Sequence, residues 1–233
     1  MTTPRAHDPA WPPAAPAAPL AVLASGGLDS AVLLAEAARA CPAVHPLYVR
    51  TGLLWEPVEL AHLERFLAAV RTPALRPLRV LEQPVADLYG EHWSLTGVGV
   101  PPAGGPDEDV FLPGRNVLLL AKPLLWCLRN GVPEIATAPL AANPFPDATP
   151  EFYDAYAAAV GRAVGGSVRV IRPYASLHKT DVIRRGAGLP LGHTFSCLRP
   201  VAGRHCGRCN KCHERREAFR AAGVPDPTDY SEG

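Results

Sequence analysis

The feature that most limits the fold of this chain is a short glycine loop, SGGLDS at residues 25–30, between two apolar segments. The run before it, residues 20–24, has the length and composition of a buried strand. The Ala- and Leu-rich stretch after it, residues 30–40, is typical of a helix. Two glycines let the backbone turn tightly and approach a ligand closely, and the start of a helix offers free N–H groups to an anion. The sequence therefore predicts a strand–loop–helix unit that can hold phosphate.

The same alternation of short apolar runs and longer helical patterns continues along the chain. It predicts βαβ units and therefore an α/β fold with a doubly wound parallel sheet. Pro123 falls inside one helical pattern and predicts a kink or a late helix start there. The further predicted strands cover residues 46–50, 75–81, 133–138 and 168–173, and the further helices cover residues 56–70, 116–129, 150–164 and 179–185.

Length, composition and charge bear on the number of domains, the location and the partners of the chain. The 233 residues, 48% of them hydrophobic, are enough for one domain with a sizeable core. A net charge of +1 does not favour a nucleic-acid-binding surface. The Pro- and Ala-rich residues 1–19 lack a secretory signal, so we expect a disordered leader. Because no run of apolar residues is long enough to span a bilayer, we expect a soluble, cytoplasmic protein without a membrane partner.

Four of the six cysteines fall within 16 residues near the end of the chain, at Cys197, Cys206, Cys209 and Cys212. Their C-x8-C-x2-C-x2-C spacing is typical of four thiolates around one tetrahedral ion, which predicts a structural zinc site. An iron–sulfur cluster and a redox CxxC pair remain alternatives. The other two, Cys41 and Cys127, lie in apolar helical patterns and are predicted to be core residues.

The glycine loop differs from the common phosphate-binding motifs, since it lacks both a Walker A ending and dinucleotide-fingerprint spacing. Ser25 and Ser30 can donate hydroxyl hydrogen bonds to phosphate, and Asp29 suggests a bound Mg²⁺ ion. A plain turn with Asp29 or Ser30 as N-cap is the alternative. The hexapeptide resembles the SGGxDS signature of PP-loop ATP pyrophosphatases, whose loop holds the pyrophosphate of ATP. The resemblance implies an ATP site at Ala24, Ser25, Gly26, Gly27, Leu28, Asp29, Ser30, Ala31, Val32, Leu33 and Leu34.

Further motifs make the resemblance more specific. FLPGRN at residues 111–116, TFSC at 194–197, HCGRCNKC at 205–212 and AGVPDPT at 222–228 resemble the hallmarks of the 7-cyano-7-deazaguanine synthase family (QueC/ExsB). The resemblance covers roughly residues 20–230. It implies a PP-loop (adenine nucleotide alpha hydrolase-like) ATP-binding domain over residues 20–190 and a zinc-binding C-terminal segment over residues 191–233.

The resemblance also implies a reaction: a 7-deazaguanine carboxylic acid is adenylated by Mg-ATP, ammonia displaces AMP to give an amide, and a second activation gives the nitrile. Implied catalytic residues are Asp29, Arg115 and Lys179, which would stabilise charge at the reacting phosphorus. Asn116 is predicted to be a helix N-cap. A homodimer is implied at the level of the family, and no nucleic-acid partner is expected.

The sequence departs from the family pattern in the segments that could hold the base. Residues 141–152 lack the acid, cysteine and arginine that relatives carry, residues 49–52 replace a Tyr-Gly-Gln-type segment, and Leu198 stands where Tyr is usual. An adenylating ligase with another amine acceptor is therefore an alternative, as are tRNA sulfur transfer or ligation and a non-catalytic nucleotide- and zinc-binding module. The Gly/Pro-rich residues 97–106 are a candidate lid.

Overall fold

A computed structural model describes residues 11–12, 18–141 and 143–231 of the protein. Most of the predicted leader, residues 1–19, lies outside the described residues. Trp11 is an exception: its indole Nε1 donates a hydrogen bond to Glu36 Oε2 at 2.7 Å, and its ring packs against the main core.

The centre of the fold is a five-stranded sheet in which every neighbouring pair of strands is parallel. The order β3-β2-β1-β4-β5 places the first strand in the middle, with the chain winding outward in both directions. The predicted α/β fold with a doubly wound parallel sheet is confirmed. The strands are β1 (Leu20–Leu23), β2 (Val44–Arg50), β3 (Arg79–Glu82), β4 (Glu134–Ala136) and β5 (Arg169–Ile171).

Helices cover both faces of the sheet. The described residues form α1 (Leu28–Ala40), α2 (Glu56–Ala69), α3 (Ala86–Tyr89), α4 (Trp93–Thr96), α5 (Arg115–Arg129), α6 (Pro150–Val164), α7 (Lys179–Arg185) and α8 (Asn210–Ala222), with 3-10 turns at Asp107–Val110, Pro146–Ala148 and Leu191–His193. In this part of the chain, no helix combines the length and the apolar character that a membrane span requires.

Two buried clusters pack on opposite faces of the sheet because successive strand residues point to opposite sides. Leu20 and Val22 join α1, α2, α7 and α8 in the larger cluster, whereas Ala21 joins α5 and α6 in the other. Cys41 and Cys127 are buried in these clusters, so both predicted core positions are confirmed.

Several elements differ from the sequence prediction, among them β3, α5 and α8. β3 begins at Arg79 rather than at residue 75, because Leu75 makes only an isolated bridge to Val44 and Pro77 has no N–H to continue a ladder. α5 begins at Arg115 and continues through Pro123, so a late start at that proline is wrong. α8 was not predicted, since its residues have no sustained apolar period.

Candidate active site

The glycine loop connects β1 to α1 in a conformation that depends on Gly26. This residue has φ +71°, and a Cβ there would lie 2.9 Å from Glu59 Cγ and 3.1 Å from the Glu59 carbonyl oxygen. Gly27 is the N-cap of α1 and has no side chain to cover the free amides of the first turn. The loop therefore lies directly on α2 and leaves the helix start open to a ligand.

Hydrogen bonds within the loop fix its shape. Ser30 is buried, and its hydroxyl donates to the Gly27 carbonyl at 3.3 Å and accepts from the Ser25 amide at 3.2 Å. The Ser25 hydroxyl is exposed and accepts from the Gly27 amide at 3.4 Å. Ser30 thus organises the loop from inside, while Ser25 faces outward.

A cavity of about 320 Å³ lies over this loop, at the carboxyl end of the sheet where the strand order reverses between β1 and β4. This is the position at which open α/β sheets bind ligands. Of the implied ATP residues, Ser25, Gly27, Leu28 and Asp29 line the cavity. Five other implied ATP residues are buried in the core and do not line the cavity: Ala24, Ala31, Val32, Leu33 and Leu34.

The implied catalytic residue Lys179 lies beside the loop. Its Nζ is 2.6 Å from Asp29 Oδ2 and 3.7 Å from Glu214 Oε1. Burial acts to lower the pKa of Lys179, but the two carboxylates outweigh burial and the pKa is raised above its ordinary value. Lys179 is the first residue of α7, which Asp181 caps by accepting from the His178 amide. The cavity therefore holds a fixed ammonium group.

The C-terminal segment contributes three charged residues that the sequence analysis did not single out as site residues: Lys211, Glu214 and Arg215. Lys211 and Glu214 of α8 line the cavity, with Lys211 Nζ 2.5 Å from Glu214 Oε2. Burial acts to raise the pKa of Glu214, but Lys179 and Lys211 outweigh it and lower that pKa. An i,i+3 spacing in a charged sequence does not reveal which face of a helix points into a cavity, so no sequence signal identified them.

Three buried polar atoms at the cavity have no hydrogen-bond partner among the described residues: Arg115 Nε, Asp29 Oδ1 and Ser196 Oγ. Buried polar groups in native proteins are nearly always paired. Two of these residues, Arg115 and Asp29, are implied catalytic residues. Their unpaired atoms in one cavity indicate a polar ligand that complements them.

Arg115 is placed by the loop before α5. Gly114 adopts φ +71° as the helix N-cap, so Asn116 lies inside the first turn and its predicted role as N-cap is wrong. Asn116 instead holds the neighbouring turn: its amide donates to Asp147 Oδ2 at 2.9 Å and its Nδ2 to the Asp147 carbonyl at 3.0 Å. These bonds join the start of α5 to the segment that follows β4.

The other side of the cavity is apolar and aromatic. Trp55 stacks with Trp93, their ring centroids 5.8 Å apart, and Phe145 stacks with Phe111 at 4.9 Å. Trp55, Trp93 and Phe145 line the cavity together with Phe195. A second cavity of about 240 Å³ shares Asp29, Lys179 and Phe145 with the first. The site thus combines a polar end at the glycine loop with a wall of aromatic rings.

The four clustered cysteines form a compact, buried group. Their sulfur atoms all lie within 4.8 Å of one another, and the Cys206–Cys212 and Cys197–Cys209 sulfurs are each 3.9 Å apart. A tetrahedron with metal–sulfur bonds of about 2.3 Å has edges of about 3.8 Å. Backbone amides point at the sulfurs, including Cys206 N to Cys197 Sγ at 3.2 Å. This donor set and size fit one metal ion.

Part of the candidate lid is attached to this cysteine group. Asn210, the first residue of α8, donates its amide to the Pro101 carbonyl at 3.1 Å and its Nδ2 to the Gly105 carbonyl at 2.7 Å. The Ala103 amide donates to the Arg208 carbonyl at 3.1 Å. Residues 101–105 are therefore hydrogen-bonded to the residues that flank Cys209.

Comparison with known proteins places this chain in a family. The sequence model described as "Queuosine biosynthesis protein QueC" matches residues 20–223. The chain is 35% identical over 225 residues to the 7-cyano-7-deazaguanine synthase of Xanthomonas campestris pv. campestris, covering 90% of this chain and 96% of that protein. It is also 35% identical over 222 residues to the 7-cyano-7-deazaguanine synthase of Thiobacillus denitrificans, covering 90% and 97%. The chain belongs to the QueC family.

Solved structures resemble this QueC-family chain more distantly. The U34-tRNA thiolase NcsA from Methanococcus maripaludis, with its [4Fe-4S] cluster, has a TM-score of 0.49 at 12% identity, covering 81% of this chain and 63% of that chain. A predicted subunit of tRNA methyltransferase from Methanocaldococcus jannaschii has a TM-score of 0.48 at 12% identity, covering 92% and 94%.

Two of the three stretches singled out above as departing from the family pattern contribute residues to the cavity wall. Asn143, Phe145 and Leu198 line the cavity. The loop after β2 is fixed by the buried Glu56, whose carboxylate accepts the Thr51 and Gly52 amides at 2.7 Å each. Residues 141–152 and Leu198 thus contribute to the cavity wall, next to the glycine loop.

Proposed function

We propose that the chain is an ATP-dependent ligase that converts 7-carboxy-7-deazaguanine and ammonia into 7-cyano-7-deazaguanine, in queuosine biosynthesis. The observation that carries this proposal is the convergence of the open glycine loop, Lys179 and three unpaired buried polar atoms on one cavity. Family membership supports the same activity, because relatives at 35% identity are named 7-cyano-7-deazaguanine synthase.

The first step activates a poor electrophile. A carboxylate oxygen of the substrate attacks the α-phosphorus of ATP, the bond to the β-phosphate breaks, and pyrophosphate leaves. The amides of the glycine loop and the α1 dipole support a role in holding pyrophosphate. Lys179 and Arg115 are positioned to stabilise the charge that develops on phosphorus, Lys179 after exchanging Asp29 for a phosphate oxygen. The deazaguanine ring would lie against Trp55 and Phe145.

The next steps replace oxygen by nitrogen. Ammonia attacks the acyl carbon of the adenylate, and AMP leaves to give the amide. A second ATP adenylates the amide oxygen, and loss of AMP and of the N–H protons gives the nitrile. The cavity needs mainly to hold the acid, ATP and ammonia in the orientation for attack, because positioning supplies a large share of such catalysis.

Two metal ions belong to this proposal. The four cysteine sulfurs would hold Zn²⁺ as a structural ion, since thiolate donors at tetrahedral spacing fit it. Asp29, with its unpaired Oδ1, would hold Mg²⁺, which offsets phosphate charge when bound. We divide the chain into an ATP-binding domain over residues 20–190 and a zinc-binding segment over residues 191–233. A cytoplasmic location follows from the ATP requirement and is testable by cell fractionation.

The proposal predicts the products of one reaction. Incubation of metal-loaded protein with Mg-ATP, ammonium and 7-carboxy-7-deazaguanine should yield nitrile, AMP and pyrophosphate, with the amide as a transient species by mass spectrometry. Omitting the acid is the control and should abolish AMP. AMP without amide or nitrile would point to another amine acceptor, and no AMP would contradict the proposed substrate.

We also propose a homodimer formed through α5 and α6. Val117 and Leu125 of α5 are 37% and 39% exposed, and Val164 of α6, the helix that packs on α5, is 53% exposed. Light scattering should give twice the chain mass, and Leu125→Glu should give a monomer. Leu88→Glu, an exposed position on α3, is the matched control and should remain dimeric. A monomeric wild-type protein would contradict this proposal.

A further inference from the structure

Glu59 is a buried acid at the cavity with no role in the phosphate chemistry above. It lies on α2, lines the cavity and is only 8% exposed. Its Oε1 accepts a hydrogen bond from the Tyr48 hydroxyl at 2.8 Å. Its backbone and Cγ lie against Gly26, so the side chain is held at the edge of the glycine loop. Burying a carboxyl group is costly unless it is hydrogen-bonded or paired.

The surroundings of Glu59 raise its pKa, so the carboxyl group is largely protonated at physiological pH. Burial raises its pKa to about 8, opposed by Arg115 of α5 and the Tyr48 hydrogen bond and assisted by Glu56. The pKa of Tyr48 is itself raised by burial and by Glu59, so the phenol remains a donor. The other charged groups that line the cavity are Asp29, Lys179, Lys211, Glu214 and Arg215.

The proposed reaction needs a group with such properties. Nitrogen enters as ammonia and ends as a nitrile, so it gives up every proton it carried. An efficient proton acceptor has a pKa near the working pH. Lys179 cannot serve, because Asp29 and Glu214 stabilise its ammonium form. Asp29 and Glu214 are paired with that lysine.

We propose that Glu59 accepts the protons that nitrogen loses during amide and nitrile formation, and that Tyr48 orients its carboxylate. This inference rests on the proposed function. In the first round the nitrogen lone pair forms the C–N bond, an N–H proton passes to Glu59, and the C–O bond breaks with its electrons going to AMP. In the second round the adenylated amide gives its remaining N–H protons to Glu59, which returns them to solvent, as the C–O bond breaks and the C≡N bond forms.

Glu59→Gln tests this role because it retains the shape and the acceptor for Tyr48. Without ammonium, a single-turnover burst of pyrophosphate from Mg-ATP and the acid should stay within about twofold of wild type. With ammonium, amide and nitrile formation should fall about 10²- to 10⁴-fold. Hydroxylamine should restore product formation as the hydroxamate, because its adduct is acidic enough to lose a proton to water. Glu64→Gln, on the exposed side of α2, is the matched control.

The pH dependence gives a second measurement. At a fixed concentration of free ammonia, wild-type nitrile formation should rise with pH and level off above about 8, because only the ionised carboxylate accepts a proton. Tyr48→Phe should shift this midpoint to higher pH, since the lost hydrogen bond stabilised the carboxylate. A pH profile that is the same in wild type and Tyr48→Phe would overturn the proposal.

The remaining outcomes separate this inference from the proposed function. Wild-type nitrile formation in Glu59→Gln would overturn the proton-transfer role. Loss of the pyrophosphate burst together with the nitrile would also overturn it and assign Glu59 to the phosphate site. Absence of the burst from wild-type protein would overturn the proposed function and this inference with it.

Discussion

Replacing Lys179 by methionine is expected to lower the rate of acid-dependent pyrophosphate release by roughly 10²- to 10³-fold, the usual effect of removing one preorganised donor from a developing charge. The ammonium group lies 2.6 Å from Asp29 at the start of the glycine loop, where the phosphates of ATP would bind. Methionine has a similar volume and no charge, so the fold should be retained. Single-turnover release of pyrophosphate from Mg-ATP and the acid measures the effect.

Two further variants make this prediction specific. Lys122→Met removes an exposed lysine on α5, outside the cavity, and should leave the rate unchanged. Lys179→Arg should restore little activity, because a planar guanidinium does not reproduce a compact ammonium group. A Lys179→Met enzyme with wild-type pyrophosphate release would exclude Lys179 from the adenylation step and leave Arg115 as the implied cation.

Chain order and local composition were sufficient to predict the framework of this site. Five apolar runs separated by helical patterns predicted the parallel sheet. The glycine loop after the first run predicted the position of the cavity. These features are local, since a strand, a turn and a helix start each depend on adjacent residues. The cysteine spacing was informative for the same reason, because short x2 intervals restrict where the thiolates can lie.

The residues that sequence reasoning missed are those that reach the cavity by tertiary packing. Glu214 and Lys211 are in a helix whose charged sequence has no clear apolar face, and α8 is placed by the cysteines and by its contact with α7. In the sequence, Glu59 is one of several charged residues on an amphipathic helix, and only the structure shows that Gly26 lies against it. Asn116 was assigned to the wrong role because the N-cap of α5 is Gly114, two residues earlier, with a positive φ.

The largest expected effect on stability comes from Cys212→Ser. Structural zinc contributes roughly 10–16 kcal/mol of apparent free energy in zinc-finger peptides, so loss of one of four ligands should lower the free energy of unfolding by at least about 3 kcal/mol. Cys212 lies in the first turn of α8, and the buried Arg215 one turn later donates to Thr194 and Leu191 at 2.9 Å and 3.0 Å. We expect wild-type protein to contain one zinc per chain and Cys212→Ser to contain none.

Metal analysis and thermal unfolding together decide between the alternatives for the cysteine group. Cys127→Ala, a buried cysteine outside the group, is the control and should keep its metal with a smaller loss of stability. If wild-type protein contains iron and absorbs visible light, the cysteines hold an iron–sulfur cluster instead of zinc. Because Lys211 and Glu214 extend from the same helix into the cavity, Cys212→Ser should also lose pyrophosphate release at temperatures where the sheet remains folded. Full pyrophosphate release by metal-free protein would show that catalysis does not depend on metal at the cysteine group.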